Sequence, residues 1–389
     1  MINEVKAHLE QHIIPFWKGL RDDEFGGYYG FMDYDTLTVD KKSKKGCILH
    51  SRILWFFSNA YMLLQDESCL LEAKHTYEFL KKYCFDDENG GIFWSVNYDG
   101  SICEDLKHTY NQAFSIYALS SYYDASKDPE ALKKAYEIYN LIETKCKDNI
   151  GYLEAFTRDF KIMDNDKLSE NGVMADRTMN TLLHVLEAYT ELYRVDHSEK
   201  VAASLRWIFD CFMQHMYNPA LHRQEVFFDN NYNSIIDLHS YGHDIETSWL
   251  MDRAVEVLGD REYMDKLCPI TRDLAANIYK TAFDGHSLAN ECEKGVVNTT
   301  RVWWVQAETV VGFINAYEKA GDHPEYLIAA KSCWEYIKST VVDKRPGSEW
   351  INEVDINGIP KPEKPMVEEW KCPYHNGRMC MEVIRRGIE

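Results

Sequence analysis

"DDEFGGYYGF" at residues 22–31 and "DDENGGIFWS" at residues 86–95 are near copies of one phrase within a single chain. Asp22-Asp23-Glu24 answers to Asp86-Asp87-Glu88, Gly26-Gly27 to Gly90-Gly91, and Tyr34-Asp35 to Tyr98-Asp99. Weaker copies follow: "NIGYLEAFTRDF" around Gly151, "NPALHRQEVFFDNNYN" around Ala220, "AFDGHSLANE" around Gly285 and "PGSEWINEVDINGIP" around Ser348. Each joins a Gly, Pro, Asn or Asp turn to a short aromatic or β-branched run. Six copies at roughly 60 to 69 residue intervals mark a repeat architecture.

Between the phrases, apolar residues recur at helical spacing. The pattern predicts helices over 3–20, 46–65, 68–83, 106–125, 129–146, 174–194, 197–216, 238–258, 261–281, 301–320, 324–341 and 371–387. In "DPEALKKAYEIYNLIETKC", Asp128 caps the helix, Pro129 occupies its first turn, and Leu132, Tyr136 and Tyr139 share a face. Odd-numbered helices carry charge on one side and suit a solvated outer ring. Even-numbered ones, such as "QAFSIYALSSYY" and "QAETVVGFINAY", are less charged and suit a buried inner ring. Twelve helices in six hairpins predict an all-α (α/α)6 barrel, a single domain over residues 1–389, with short β-hairpin-like segments between outer and inner helices. Closing the ring buries each hairpin face without capping repeats; an open superhelix is the alternative.

Composition narrows the function. The net charge of -20 disfavours nucleic acid, which needs clustered Lys and Arg. No 18-residue apolar run suggests a membrane span, and the start, "MINEVKAHLEQHIIPFW", does not read as a secretion signal. Eleven Cys without CxxC pairs suit reduced thiols and a cytoplasmic location. The partner expected is a neutral small molecule, and the chain is expected to be a monomer or weak homo-oligomer.

The repeated phrase always precedes an inner helix, so the inner-helix starts should converge at one end of the barrel. Those starts offer Arg52, Tyr110, Asn180, His184, His243, Glu246, Trp303, Trp304, Glu308, Trp370 and His375. Three repeats place a histidine there, and imidazole suits reversible proton transfer at neutral pH. His243 and Glu246 are one turn apart, a spacing at which the carboxylate could orient the ring; Glu308 could do the same for another histidine across the axis. His239 and His243 at i,i+4 raise a zinc reading, although the HExxH order is missing. Glycoside hydrolysis would need two opposed carboxyl groups, for which Glu246 and Glu308 are the plausible pair. The acids of the repeated phrase are expected in surface turns, not in the chemistry.

"GHDIETSWL" (242–250), "RTMNTLLHVLEAY" (177–189), "HSRILWFFSNAY" (50–61) and "EWKCPYHNGRMC" (369–380) resemble the acylglucosamine 2-epimerase family. Within it the match is nearest the branch acting on β-1,4-linked disaccharides such as cellobiose and lactose. The resemblance spans the whole chain. It implies an (α/α)6 barrel and inversion at C2 of the reducing-end sugar, with no cofactor or metal. On that resemblance His243 and His375 are acid/base catalysts, Arg52 and His184 hold the oxygens at C1 and C2, and Glu246 supports His243. Tyr110 and Asn180 bind the same sugar end, and Trp303, Trp304, Glu308 and Trp370 line the substrate site. A monosaccharide 2-epimerase or aldose–ketose isomerase is the alternative within the family.

Overall fold

The computed structural model describes residues 1–168 and 171–389. Among these the predicted helices all form. The inner ones are Cys47–Leu64, Thr109–Ser126, Met179–Asp196, Tyr241–Leu258, Trp303–Ala320 and Tyr374–Arg385. The outer ones run over 2–19, 67–84, 129–146, 199–216, Arg261–Thr281 and 324–341. Each inner helix packs on the next, and the sixth packs on the first. The ring is therefore closed, and the chain folds as the (α/α)6 barrel that the repeat predicts. Residues 47–60 of the first inner helix are buried on every face, as expected for a wall between the outer ring and the barrel interior. No helix among the described residues is long and apolar enough to cross a membrane.

Short strands join the repeats laterally. Lys45–Gly46 pairs antiparallel with Ser95–Val96, Lys107–His108 with Ala155–Phe156, and Arg177–Thr178 with Phe227–Phe228. Leu238–Ser240 pairs with Glu291–Glu293, and Arg301–Val302 with Glu353–Val354. The strand before each inner helix is thus tied to the phrase of the following repeat. A bridge from Met32 to Val367 ties the last repeat back to the first. These strands also correct two predicted starts. The third inner helix begins at Met179 instead of 174, because Arg177–Thr178 is extended and Thr178 caps the helix through Thr181 N. His239 likewise lies on a strand, so His239 and His243 do not share a helix face.

The repeated phrase is a folding device. Asp22 Oδ1 accepts from the N–H groups of Glu24 and Phe25, and Asp86 Oδ1 from those of Glu88 and Asn89. Asp148, Asn218 and Asp284 form the same turn in later repeats. The first acid of each strong copy is not in a surface turn as expected. Asp22 and Asp86 are buried and paired with equally buried lysines, Lys45 at 2.6 Å and Lys107 at 3.0 Å. Burial opposes ionisation of Asp86, but Arg158 and Lys107 hold its carboxyl well below the usual range. Asp23, Glu24, Asp87 and Glu88 are the exposed members. Each lysine opens the short strand that leads into an inner helix, so the ion pair ties the phrase to that helix's entry.

The glycines follow from the same docking. Gly27 and Gly91 have φ of +67° and +75°, and a Cβ at either would lie 2.6 Å from His50 Nε2 or Gln112 Oε1. Those side chains cap the phrase: His50 accepts from Tyr28 N at 2.9 Å and Gln112 from Ile92 N at 2.8 Å.

Candidate active site

The sixth residues of the first five inner helices are Arg52, Phe114, His184, Glu246 and Glu308. These positions lie at one depth, one turn below the helix starts. Tyr110, Asn180, Trp304 and His375 hold the second positions of their helices, and His243 the third. All the candidate side chains therefore gather at one end of the barrel, as the repeat pattern predicts.

Each of the three histidines is held through Nδ1. His375 Nδ1 bonds Glu308 Oε1 at 2.7 Å, His184 Nδ1 bonds Glu187 Oε2 at 2.9 Å, and His243 Nδ1 bonds Ser240 Oγ at 2.7 Å. A carboxylate accepts only, so His184 and His375 carry their proton on Nδ1 and present an unprotonated Nε2. The Ser240 hydroxyl can donate or accept, which leaves either tautomer open to His243. None of the three Nε2 atoms has a protein partner among the described residues. The rings of His243 and His375 lie 4.9 and 5.3 Å from the ring of Trp304, so both imidazoles border one indole.

Glu246 does not orient His243. Side chains on a helix lean toward its N-terminus, so the His243 ring reaches back to Ser240, not forward to Glu246. Glu246 Oε1 instead bonds Arg378 Nη2 at 2.5 Å. Arg378 Nη2 also bonds Glu308 Oε1 at 2.7 Å, while Nη1 bonds Glu187 and the Tyr374 hydroxyl. Tyr374 in turn donates to Glu187 at 2.6 Å. Sequence reading missed Arg378, Glu187, Tyr374 and Ser240. Arg378 and Tyr374 lie within "PYHNGR" and Glu187 follows His184 by one turn, so the signals were present.

Arg52 donates to the Tyr110 hydroxyl at 2.7 Å and lies over the Phe114 ring at 4.2 Å. The Tyr110 oxygen is thereby an acceptor from Arg52, and its own proton is free for another partner. Arg52 Nε and Asn180 Oδ1 are buried polar atoms without a protein partner among the described residues. Such unpartnered atoms are uncommon in native proteins, and these two lie among the candidate side chains.

Two predicted substrate contacts stand elsewhere. Trp303 is 2% exposed and packs edge-on against His375 with its ring centroid 5.5 Å away, so it backs the histidine instead of lining the opening. Glu308 is fully buried between His375, Arg378 and Trp249. It supports the imidazole and does not face the opening. Trp304 and Trp370 remain partly exposed, Trp370 beside Tyr110 at 5.9 Å.

The electrostatics are set by burial. It lowers all three histidines, His243 to about 3, so the neutral imidazole prevails near pH 7. Arg378 is the next cause for His375. Burial pushes Glu246 and Glu308 up, with the charge of Glu308 adding to the shift at Glu246. Glu187 goes the other way: burial opposes, but Arg378 and His184 bring it down to about 2.

Glu246, Glu308 and His375 offer ligand atoms within 4.8 Å of one another, a donor set that a cation could use. The Arg378 guanidinium already bonds both carboxylates and occupies the position of positive charge. A divalent ion would have to displace it. The i,i+4 helix spacing behind the zinc reading does not form either: His239 lies on the strand before the helix, with Nε2 on Asp244 at 2.8 Å.

The sequence matches the N-acylglucosamine 2-epimerase family over residues 26–376. It is 54% identical to a cellobiose 2-epimerase of Eubacterium cellulosolvens, over the full length of both chains. Among solved structures, a sugar epimerase from a ruminal bacterium superposes with a TM-score of 0.98 at 52% identity, covering 100% of both chains. A cellobiose 2-epimerase from Bacillus thermoamylovorans gives 0.94 at 47% identity, covering 99% of each.

Proposed function

Because the chain belongs to the N-acylglucosamine 2-epimerase family, we propose that it inverts C2 of the reducing-end glucose of β-1,4-linked disaccharides. Cellobiose would give glucosyl-mannose and lactose would give epilactose. The observation that carries the chemistry is the pair of imidazoles, His243 and His375, bordering Trp304 with their Nε2 atoms unengaged.

Inversion beside a carbonyl needs a proton acceptor and a proton donor on opposite faces of one carbon. The sugar ring first opens to the aldehyde, which acidifies the C2 proton. One imidazole takes that proton through Nε2 and leaves a cis-enediolate. The other, in its minor protonated form, delivers its proton to the opposite face; the first ring then releases its proton to solvent and the second takes one up, so C2 is inverted with no net change in composition. Negative charge develops at O1 and O2, where the Arg52 guanidinium and the Tyr110 hydroxyl are suited to meet it. The orphan Asn180 Oδ1 accepts from a sugar hydroxyl. His184, with Nδ1 on Glu187, offers a third Nε2 to the same end of the sugar.

Trp304 carries the reducing sugar between the two imidazoles. Trp370, at the Arg52–Tyr110 edge, stacks on the second sugar; its indole lies under the Arg52 guanidinium at 5.8 Å. Hydrolysis is disfavoured by the state of its two carboxyl groups: Glu246 and Glu308 are fully buried and share one guanidinium, so they do not oppose each other across an opening.

Incubation of the chain with cellobiose after chelator treatment tests the reading. Glucosyl-mannose is the expected product. Intact cellobiose, or free glucose in its place, would overturn it.

A further inference from the structure

One guanidinium touches the support of two of the three histidines. Arg378 bonds Glu187, which holds His184, and Glu308, which holds His375; it also bonds Glu246 and the Tyr374 hydroxyl. It comes from the sixth inner helix, whereas its three carboxylates come from the third, fourth and fifth. Resting on the epimerase reading, we infer that Arg378 is a positioning residue for proton transfer, locking His184 and His375 into one frame by clamping Glu187, Glu246 and Glu308.

Three features carry this. The guanidinium is planar with donors in a fixed fork, so several carboxylates held at once fix one another's orientation, which an ammonium cannot do. The side chain is buried, between the Trp249 ring at 4.8 Å and the Tyr374 ring at 4.2 Å, so it has no freedom to swing. Three buried carboxyl groups would otherwise face one another without a counter-charge. In the observed arrangement one cation orders all three, and each histidine gains a fixed Nδ1 partner.

The charged and titratable groups around His375 are Glu308, Glu246, Glu187, His184, Arg52 and Arg378 itself, with Tyr374 preceding it in the chain. Burial comes first in keeping His375 neutral, and the Arg378 cation comes second. Removing that cation lets His375 protonate more readily. If His375 must be neutral to accept the C2 proton, the acid limb of the rate profile then moves to higher pH.

The test compares Arg378→Lys, Arg378→Met and Tyr374→Phe with the wild-type enzyme, using cellobiose as substrate. Arg378→Lys keeps the charge but loses the fork, and kcat is expected to fall about 100-fold, the scale of an ångström-level misplacement, with KM within about threefold. Arg378→Met should show the upward shift of the acid limb, which Arg378→Lys should not. Tyr374→Phe removes a single hydroxyl from the network and provides a folded variant in any case; its kcat should fall by a smaller factor, again with KM kept. Variants that lose thermal stability but keep wild-type kcat and acid limb would overturn the inference. A wild-type chain that leaves cellobiose unchanged would instead overturn the epimerase reading itself.

Discussion

His243 and His375 both border the Trp304 indole, yet their surroundings differ in kind. His375 is backed by a carboxylate, an arginine and two further acids, all buried. His243 is backed by one serine hydroxyl and is itself only partly buried. The carboxylate commits His375 to one tautomer, whereas the hydroxyl lets His243 reverse its hydrogen bond. A reaction that runs in both directions across one carbon is served by such a pair, one fixed and one reversible.

The largest break in this comparison is loss of either ring. His375→Ala and His243→Ala should each lower kcat for epimerisation by about 10²–10⁴-fold, read from product formation. The supports should then separate the two sides. Glu308→Gln removes a charge-assisted bond and should cost about 100-fold in kcat, whereas Ser240→Ala removes a neutral one and should cost about tenfold. Equal effects of the two supports would erase the asymmetry.

A contrast of the same type separates the chemistry from the scaffold. Asp86→Ala leaves Lys107 buried with Gly90 O as its remaining strong acceptor, and should destabilise the fold by about 3–5 kcal/mol in denaturant titration. Its kcat per folded molecule should stay near wild type. Acid stability reports on the scaffold as well. His8 and His50 are held neutral by burial at about 3, and His108 at about 4. Unfolded chains bind protons at these positions below about pH 6.5 while the folded one does not. Thermal stability should therefore decline as pH falls from about 6.5 toward 4, without a matching loss above pH 7.

The difference between scaffold and site also explains what the sequence disclosed. The six-hairpin barrel was legible because a repeat states its plan several times: Asp22, Asp86, Asp148, Asn218 and Asp284 make one turn in five places. The end of the barrel that holds the candidates was legible too, since Arg52, His184, Glu246 and Glu308 share one helical position. Which side chain supports which was not. Partners such as Arg378 and Glu187 are 191 residues apart, and a one-turn spacing like His243 to Glu246 says nothing about which way the ring leans. The burial of Asp22 was equally hidden, because its lysine arrives 23 residues later from a different element.

The most direct test of the two-imidazole account is C2 proton exchange in D2O by the single-histidine variants. Wild type should place deuterium at C2 of the reducing-end sugar of the epimerised product. His243→Ala and His375→Ala should each lose net epimerisation, yet each should still exchange the C2 proton of one epimer. One variant should act on cellobiose and the other on glucosyl-mannose, because each keeps the imidazole on one face. Two variants that exchange the same epimer, or a single-histidine variant that still epimerises, would contradict the account.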